Sequence, residues 1–315
     1  SAVLPGMTLR PHVSDALRTT EPSARRLMLA VTSIMSGGIG SYALNLCAAF
    51  ASQGWEVHLL VTNERGNLFD EACRSFQVHD LSDQPLSMCK ARRAAIVVNR
   101  VLPRILLLNH CSLLHYALPL LNANVRPVAV VHSDDPRFYR TATMFAGWIF
   151  RWVAPTSKLA RLLSNHVGRF QQHRIRLVPH GTDARRYMRS DVPGHRGPVM
   201  TFVGFVDTNK GVDLLPEIMQ IVAKAVPGIM LNIVGDWPVR TRLEQDFRQR
   251  GLIDQCRFMG QQSTEEVGNT LNQSDVLIHP TRIEGFGLTI IEAMAAGVVP
   301  VTTRLKGITD DIVED

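Results

Sequence analysis

Short, continuous apolar runs recur along the chain, separated by longer stretches of helical periodicity. In the first half Leu27–Ser33, Val57–Thr62, Ile105–Asn109, Val128–His132, Trp152–Pro155 and Ile175–Pro179 predict strands. In the second half Val199–Val206, Met230–Val234, Arg257–Gly260, Val276–His279 and Val299–Thr302 do the same. Strands with so little polar alternation are buried on both faces, which is the signature of parallel sheets covered by helices. The helical stretch Ser157–Phe170 sets Leu159, Leu162, Leu163 and Val167 on one side, a face that turns to the core or dips into a membrane interface. Between the halves, Ser190–Pro198 reads S-D-V-P-G-H-R-G-P and has no apolar period, so it predicts a linker. The expected architecture is α/β: a first domain over 27–190, a second over 191–315, and a cleft between them. Residues 1–26 are polar, contain proline and lack periodicity, which predicts a poorly ordered lead-in.

Composition narrows the class. A chain of 315 residues with 45% hydrophobic and 20% charged positions is long enough for two packed domains. Its five cysteines are odd in number and scattered, with no C-x-x-C pair, which fits a reducing compartment rather than a disulfide framework. No apolar run approaches the length of a membrane helix, and nothing near the start has the apolar core of a signal peptide. The expected location is cytoplasmic, with peripheral contact at the inner membrane face as a further option. The net charge of +6 implies attraction to anions. The excess concentrates in 151–189, where nine cations face the single acid Asp183. That segment reads either as a solvated surface or as a docking face for anionic lipid headgroups. Nucleic acid is disfavoured, because no aromatic interleaving accompanies the charges.

The most informative stretch runs from Val276 to Gly297. A buried strand ends at His279-Pro280, a glycine-containing loop follows, and a helix is predicted from about Leu288. The loop through Gly285 would bring the backbone N–H groups of Phe286, Gly287 and Leu288 to a helix N-terminus, an arrangement that suits a diphosphate. Glu284 stands before the helix and Glu292 about one turn into it, where a carboxylate accepts two hydrogen bonds from a vicinal diol such as a ribose. Earlier, Gly37-Gly38-Ile39-Gly40 follows the first strand. Taken with Ser41-Tyr42-Ala43 it also satisfies a dinucleotide-binding fingerprint, and Asn63-Glu64 after the second strand leaves that reading open for the first domain alone.

These motifs, in order, resemble those of retaining glycosyltransferase family 4, the group 1 glycosyl transferases with the GT-B fold. The hallmark of that family is two glutamates separated by seven residues. The resemblance extends from about Leu27 to the end of the chain. It includes Ser36–Ser41 after the first strand, Val131-His132, Val178–Asp183, Phe202–Leu215 and Ile233–Pro238. It implies two Rossmann-like domains with parallel sheets facing a cleft, the first binding an acceptor and the second a nucleoside diphosphate sugar of the UDP or GDP type. By the resemblance, Glu292 holds the donor ribose, Glu284 sits near the transferred sugar, and Lys210 neutralises the diphosphate. His132, at the carboxyl end of its strand, contacts the donor sugar, and the Gly37-Gly38 loop approaches the donor from across the cleft. His180, where the family more often has Asn, is expected to be structural, and His110 and His115 are weaker candidates than His132.

The implied reaction is transfer of a hexose-type sugar to a glycan or glycolipid, with retention of configuration. No cofactor and no metal are implied, and no Asp-x-Asp or His/Asp cluster with ligand spacing stands near the donor loop. Two departures from the family pattern stand out. Phe205 occupies the position where the family usually has an Arg that pairs with Lys210, so Arg240, Arg282, Arg304 or Lys306 would have to supply the missing charge. The second domain is also shorter than the family's and reads as truncated. The alternatives are therefore a non-catalytic nucleotide-sugar-binding homologue, or another nucleotide-sugar enzyme of this fold such as an epimerase.

Overall fold

The computed structural model describes residues 25–314 apart from positions 36, 84, 86, 189–196 and 237–238. The expected lead-in lies outside the described residues except for Arg25 and Arg26. The expected linker lies outside them except for Gly197 and Pro198.

Two parallel sheets form the frame. The first contains β1 (Arg26–Ser33), β2 (Glu56–Glu64), β3 (Gln77–Asp80), β4 (Ile105–Asn109), β5 (Arg126–Val130), β6 (Arg151–Ala154) and β7 (Ile175–Leu177), in the order β3-β2-β1-β4-β5-β6-β7. Its helices are α1 (Gly38–Ser52), α2 (Phe69–Ser75), α3 (Met88–Val101), α4 (Ser112–Ala117), α5 (Pro136–Thr143) and α6 (Ser157–His166). The second sheet contains β8 (Val199–Val203), β9 (Met230–Val234), β10 (Cys256–Gly260), β11 (Val276–His279) and β12 (Val299–Thr302), in the order β10-β9-β8-β11-β12. Its helices are α7 (Leu215–Ala225), α8 (Arg240–Gln249), α9 (Thr264–Asn272) and α10 (Leu288–Ala295).

The burial explains the pattern. Leu27 to Val31 are all fully buried in β1, because helices cover both faces of the sheet and alternate side chains enter two separate cores. Only β3 was not anticipated. It is an edge strand with no fully buried residue, so its sequence Gln77-Val78-His79-Asp80 needs no apolar run. Strand β8 stops at Val203, short of the expected Val206, because Gly204 turns the chain at a φ of 156°. Leu159 and Leu163 of α6, and Val167 just beyond its end, are buried in the first core, so the apolar face of this stretch packs inward rather than toward a membrane.

Both sheets place their loops in the same way. Strand order reverses between β1 and β4 in the first sheet and between β8 and β11 in the second. In open parallel sheets, ligands bind beyond the carboxyl ends of the strands at such reversals. The loop after β1 is the Gly37-Gly38 loop. The loops after β8 and β11 carry Phe205, Lys210 and Glu284, so the candidate residues converge by topology.

Candidate active site

A cleft of about 720 Å³ opens between the two sheets. Gly37, Gly38, His132, Lys210, Glu284, Gly285, Leu288 and Glu292 all line it. Phe286 and Gly287 do not. Phe286 is buried against the first sheet's core and meets His180 edge-on, at 5.2 Å between ring centroids. Gly287 is the residue before α10, with a φ of 95°.

The centre of the cleft is a charged cluster. Lys210 Nζ donates to Glu284 Oε2 at 2.8 Å, and His279 Nε2 donates to the same oxygen at 3.0 Å. Glu284 Oε1 accepts from the Gly285 amide at 2.9 Å. Burial pushes the Glu284 carboxyl upward, but the His279 hydrogen bond and the Lys210 charge outweigh it and hold the group well below the usual carboxylate range. Lys210 is placed by its turn: Asp207 caps the short 3₁₀ segment Thr208–Lys210 by accepting from the Lys210 amide at 2.9 Å. Lysine has three donors, so two remain for an incoming anion.

Glu292 lies deeper, inside the first turns of α10, and is buried. Burial raises its carboxyl to about 6, partly offset by a hydrogen bond from Tyr187. Tyr187 is itself buried and packs with the second sheet's core, although it precedes that sheet in the chain. At neutral pH Glu292 is therefore ionised at an energetic cost, a state that a diol donating two hydrogen bonds would stabilise.

His132 is held on both sides. Asn109 Nδ2 donates to the Ala30 carbonyl at 3.2 Å, which turns Asn109 Oδ1 toward His132 Nε2, 2.8 Å away. His132 Nε2 is thus the donor and Nδ1 the acceptor, filled by His180 Nε2–H at 3.2 Å. Burial and the neighbouring His180 hold His132 far below its usual range, and burial takes His180 to about 4, so the pair is neutral. Both ring nitrogens of His132 are engaged, so the ring meets the cleft through its carbon edge. His180 packs against Tyr42, with ring centroids 4.3 Å apart and the planes tilted by 44°. His110 packs on Phe138, and His115 bonds to the Cys111 carbonyl.

Two glycines lie where the domains meet at the cleft. A Cβ on Gly285 would collide with the His132 carbonyl oxygen, and Thr156 Oγ1 donates to the Gly285 carbonyl at 3.4 Å. Gly37, at a φ of 133°, would place a Cβ 3.0 Å from the Phe205 ring. Phe205 is therefore a packing partner for the opposite loop. Asp311 also accepts from the Ser157 amide at the start of α6, at 2.8 Å.

The proposed replacements for the missing arginine do not reach the cleft. Arg282 forms a bidentate pair with Asp213, Arg240 pairs with Glu244, and neither they nor Arg304 nor Lys306 line the cleft. Among the described residues, Lys210 is the one cationic side chain in the lining. Positive potential otherwise comes from the N-termini of α1 and α10, both of which open onto the cleft.

Residues that a reading of local motifs passed over are His279, Asn109 and Tyr187. His279 had the same signal as His132, a histidine closing a buried strand.

Two family profiles match in adjoining stretches. "Glycosyltransferase Family 4" covers residues 36–186, and "Glycosyl transferases group 1" covers residues 184–315. The chain belongs to the group 1, family 4 glycosyltransferases. Among the curated relatives of this chain is the mannosylfructose-phosphate synthase of Agrobacterium fabrum, 29% identical over 50% of this chain and 38% of that protein. Another is a human phosphatidylinositol N-acetylglucosaminyltransferase subunit, 26% identical over 45% of this chain and 29% of that protein. The chain thus matches well under half the length of these two relatives. Among solved structures, Anabaena HepE in complex with UDP and glucose superposes with a TM-score of 0.77 at 15% identity, covering 92% of this chain and 83% of that one. That likeness establishes the fold: two Rossmann-like domains in the GT-B arrangement.

Proposed function

We propose that this glycosyltransferase moves a sugar from a nucleoside diphosphate sugar to a glycan or lipid-linked acceptor, with retention of configuration and without a metal. The observation that carries the reading is the pairing, in one cleft, of the Lys210–Glu284–His279 cluster with the buried carboxyl of Glu292 near the start of α10. Breaking the bond between a sugar and a diphosphate builds positive charge on the anomeric carbon and negative charge on the departing oxygens. In this reading the free donors of Lys210 and the amides at the α1 and α10 N-termini meet the departing charge, which is the largest kind of contribution a preorganised site makes. Glu292 accepts the ribose hydroxyls. Glu284, fixed by three hydrogen bonds, faces the transferred sugar, and the His132 carbon edge walls the sugar site. HepE binds UDP and glucose, which supports a uridine donor. The relatives' names point to a sugar phosphate in one case and a lipid in the other, so they do not choose between a carbohydrate and a lipid-linked acceptor.

A second reading is a nucleotide-sugar-binding protein without turnover. Phe205 favours it, because among the described residues the cation that the family places there has no substitute in the cleft lining. Thermal shift with UDP, GDP and ADP, followed by donor hydrolysis, separates the two. The first reading expects stabilisation by one nucleotide together with hydrolysis of its sugar. Stabilisation without hydrolysis supports the second, and no stabilisation by any of them contradicts both.

A further inference from the structure

The first sheet carries a row of arginines on the edge opposite the cleft. An arginine stands at, or one residue before, the start of β1, β4, β5, β6 and β7: Arg26, Arg104, Arg126, Arg151 and Arg174. These strands are consecutive neighbours in a parallel sheet, so the starts of all five lie along one edge. At the usual strand spacing the row is about 20 Å long. Arg26 is paired with Glu56 at 2.7 Å, whereas Arg151 and Arg174 donate to the Phe150 and Ile149 carbonyls, contacts that leave their charge uncompensated. Between positions 84 and 182 the sequence has fourteen cations and two acids, Asp134 and Asp135. Both acids follow β5, at the cleft edge, and are paired with Lys158 and Arg137. The loops leading into β4, β5, β6 and β7 contain no acidic residue.

The same loops expose apolar side chains. Phe170, before β7, is 92% exposed, and Trp148, before β6, is 45% exposed. Phe145 and Phe150 beside it are also exposed. Phe150 lies beneath two guanidinium groups, Arg126 at 5.0 Å and Arg151 at 4.6 Å from its ring centroid. From β4 to β7, a row of cations flanked by protruding aromatics, with no acid in the loops leading into these strands, matches a bilayer interface, where phosphate headgroups attract arginine and aromatic rings settle below them. A soluble polyanion would use the cations but would not require exposed Phe170 and Trp148.

We infer that the amino-terminal edge of the first sheet, from β4 to β7, docks the protein on an anionic lipid bilayer through these arginines and aromatics. The inference goes beyond the proposed reaction and does not depend on it. It also moves the basic surface away from α6, whose apolar face is in the core. β4 and β5, of five residues each, rise about 3.3 Å per residue, so the cleft stands roughly 15–20 Å from the lipid side.

The test is co-sedimentation with vesicles of phosphatidylglycerol and phosphatidylcholine, compared with phosphatidylcholine alone and with heparin in solution. Expected is binding to the anionic vesicles that raised salt reverses. Arg126→Glu combined with Arg151→Glu should weaken partitioning roughly thirty-fold or more. Phe170→Ser, at a side chain almost wholly in solvent, should weaken it with the melting temperature unchanged, and keeps the test decisive if the double variant does not fold. Brominated lipid should quench fluorescence in the wild type but much less in Trp148→Phe. Failure to bind anionic vesicles at low salt overturns the inference. So does binding that Phe170→Ser and the arginine variants leave intact, or binding to heparin alone.

Discussion

Replacing Glu292 by Gln should stabilise the fold while impairing the site. Glu292 is buried, and its carboxyl rises from an ordinary 4.5 to about 6. A carboxyl with a higher value in the folded than in the unfolded state favours folding most below the unfolded value. That advantage disappears as pH rises through about 6, where the folded chain must hold a buried charge. The rise corresponds to roughly 2 kcal/mol of stability lost above that pH relative to the protonated form. Glutamine has the same shape, remains neutral and keeps a partner for Tyr187. Glu292→Gln should therefore equal the wild type in acid and exceed it by up to roughly 2 kcal/mol at neutral pH. Denaturant unfolding measured across that range reads this directly. Calorimetric titration with UDP should show binding weaker by about 1–3 kcal/mol, the range for losing hydrogen bonds to a charged acceptor. A variant that is less stable at neutral pH, or that binds UDP as the wild type does, would refute the reasoning.

Three further outcomes follow from the same geometry. Lys210→Ala removes the cleft's one described cationic side chain and should lower the turnover rate by about 10²–10³-fold, read from steady-state kinetics; an unchanged rate excludes Lys210 from the chemistry. Gly285→Ala sets a methyl group against the His132 carbonyl, so it should lower stability by about 1–3 kcal/mol in a denaturant titration, and a wild-type curve would mean that the domain contact is not as described. Turnover should survive EDTA, because in the proposed reading Lys210 and helix amides, not a metal, meet the diphosphate; loss that manganese restores would contradict that reading.

The frame was legible in the sequence wherever burial on both faces demanded an unbroken apolar run, as in Leu27–Val31. Edge strand β3 was not, since a half-exposed strand needs no such run. The positions of Glu284 and Glu292 were legible because strand, loop and helix succeed each other within one short stretch. What could not be read locally is contact between distant segments. Lys210 lies 74 residues from Glu284, and only the neighbouring positions of β8 and β11 bring them together. The place of Phe205 against Gly37 is likewise set by how the two domains meet, which no spacing along the chain expresses. The charges expected to replace the missing arginine failed for a similar reason: Arg282 is committed to Asp213, a partner 69 positions away.

The central claim is a sugar transfer that departs from a diphosphate and retains configuration. Its most direct measurement is proton NMR of the purified protein turning over an α-linked nucleoside diphosphate sugar, with water as the acceptor. The account predicts release of the nucleoside diphosphate with the α-anomer as the first-formed sugar, and loss of both signals in Lys210→Ala. A β-anomer formed first, or a donor that binds and stays intact, would contradict it.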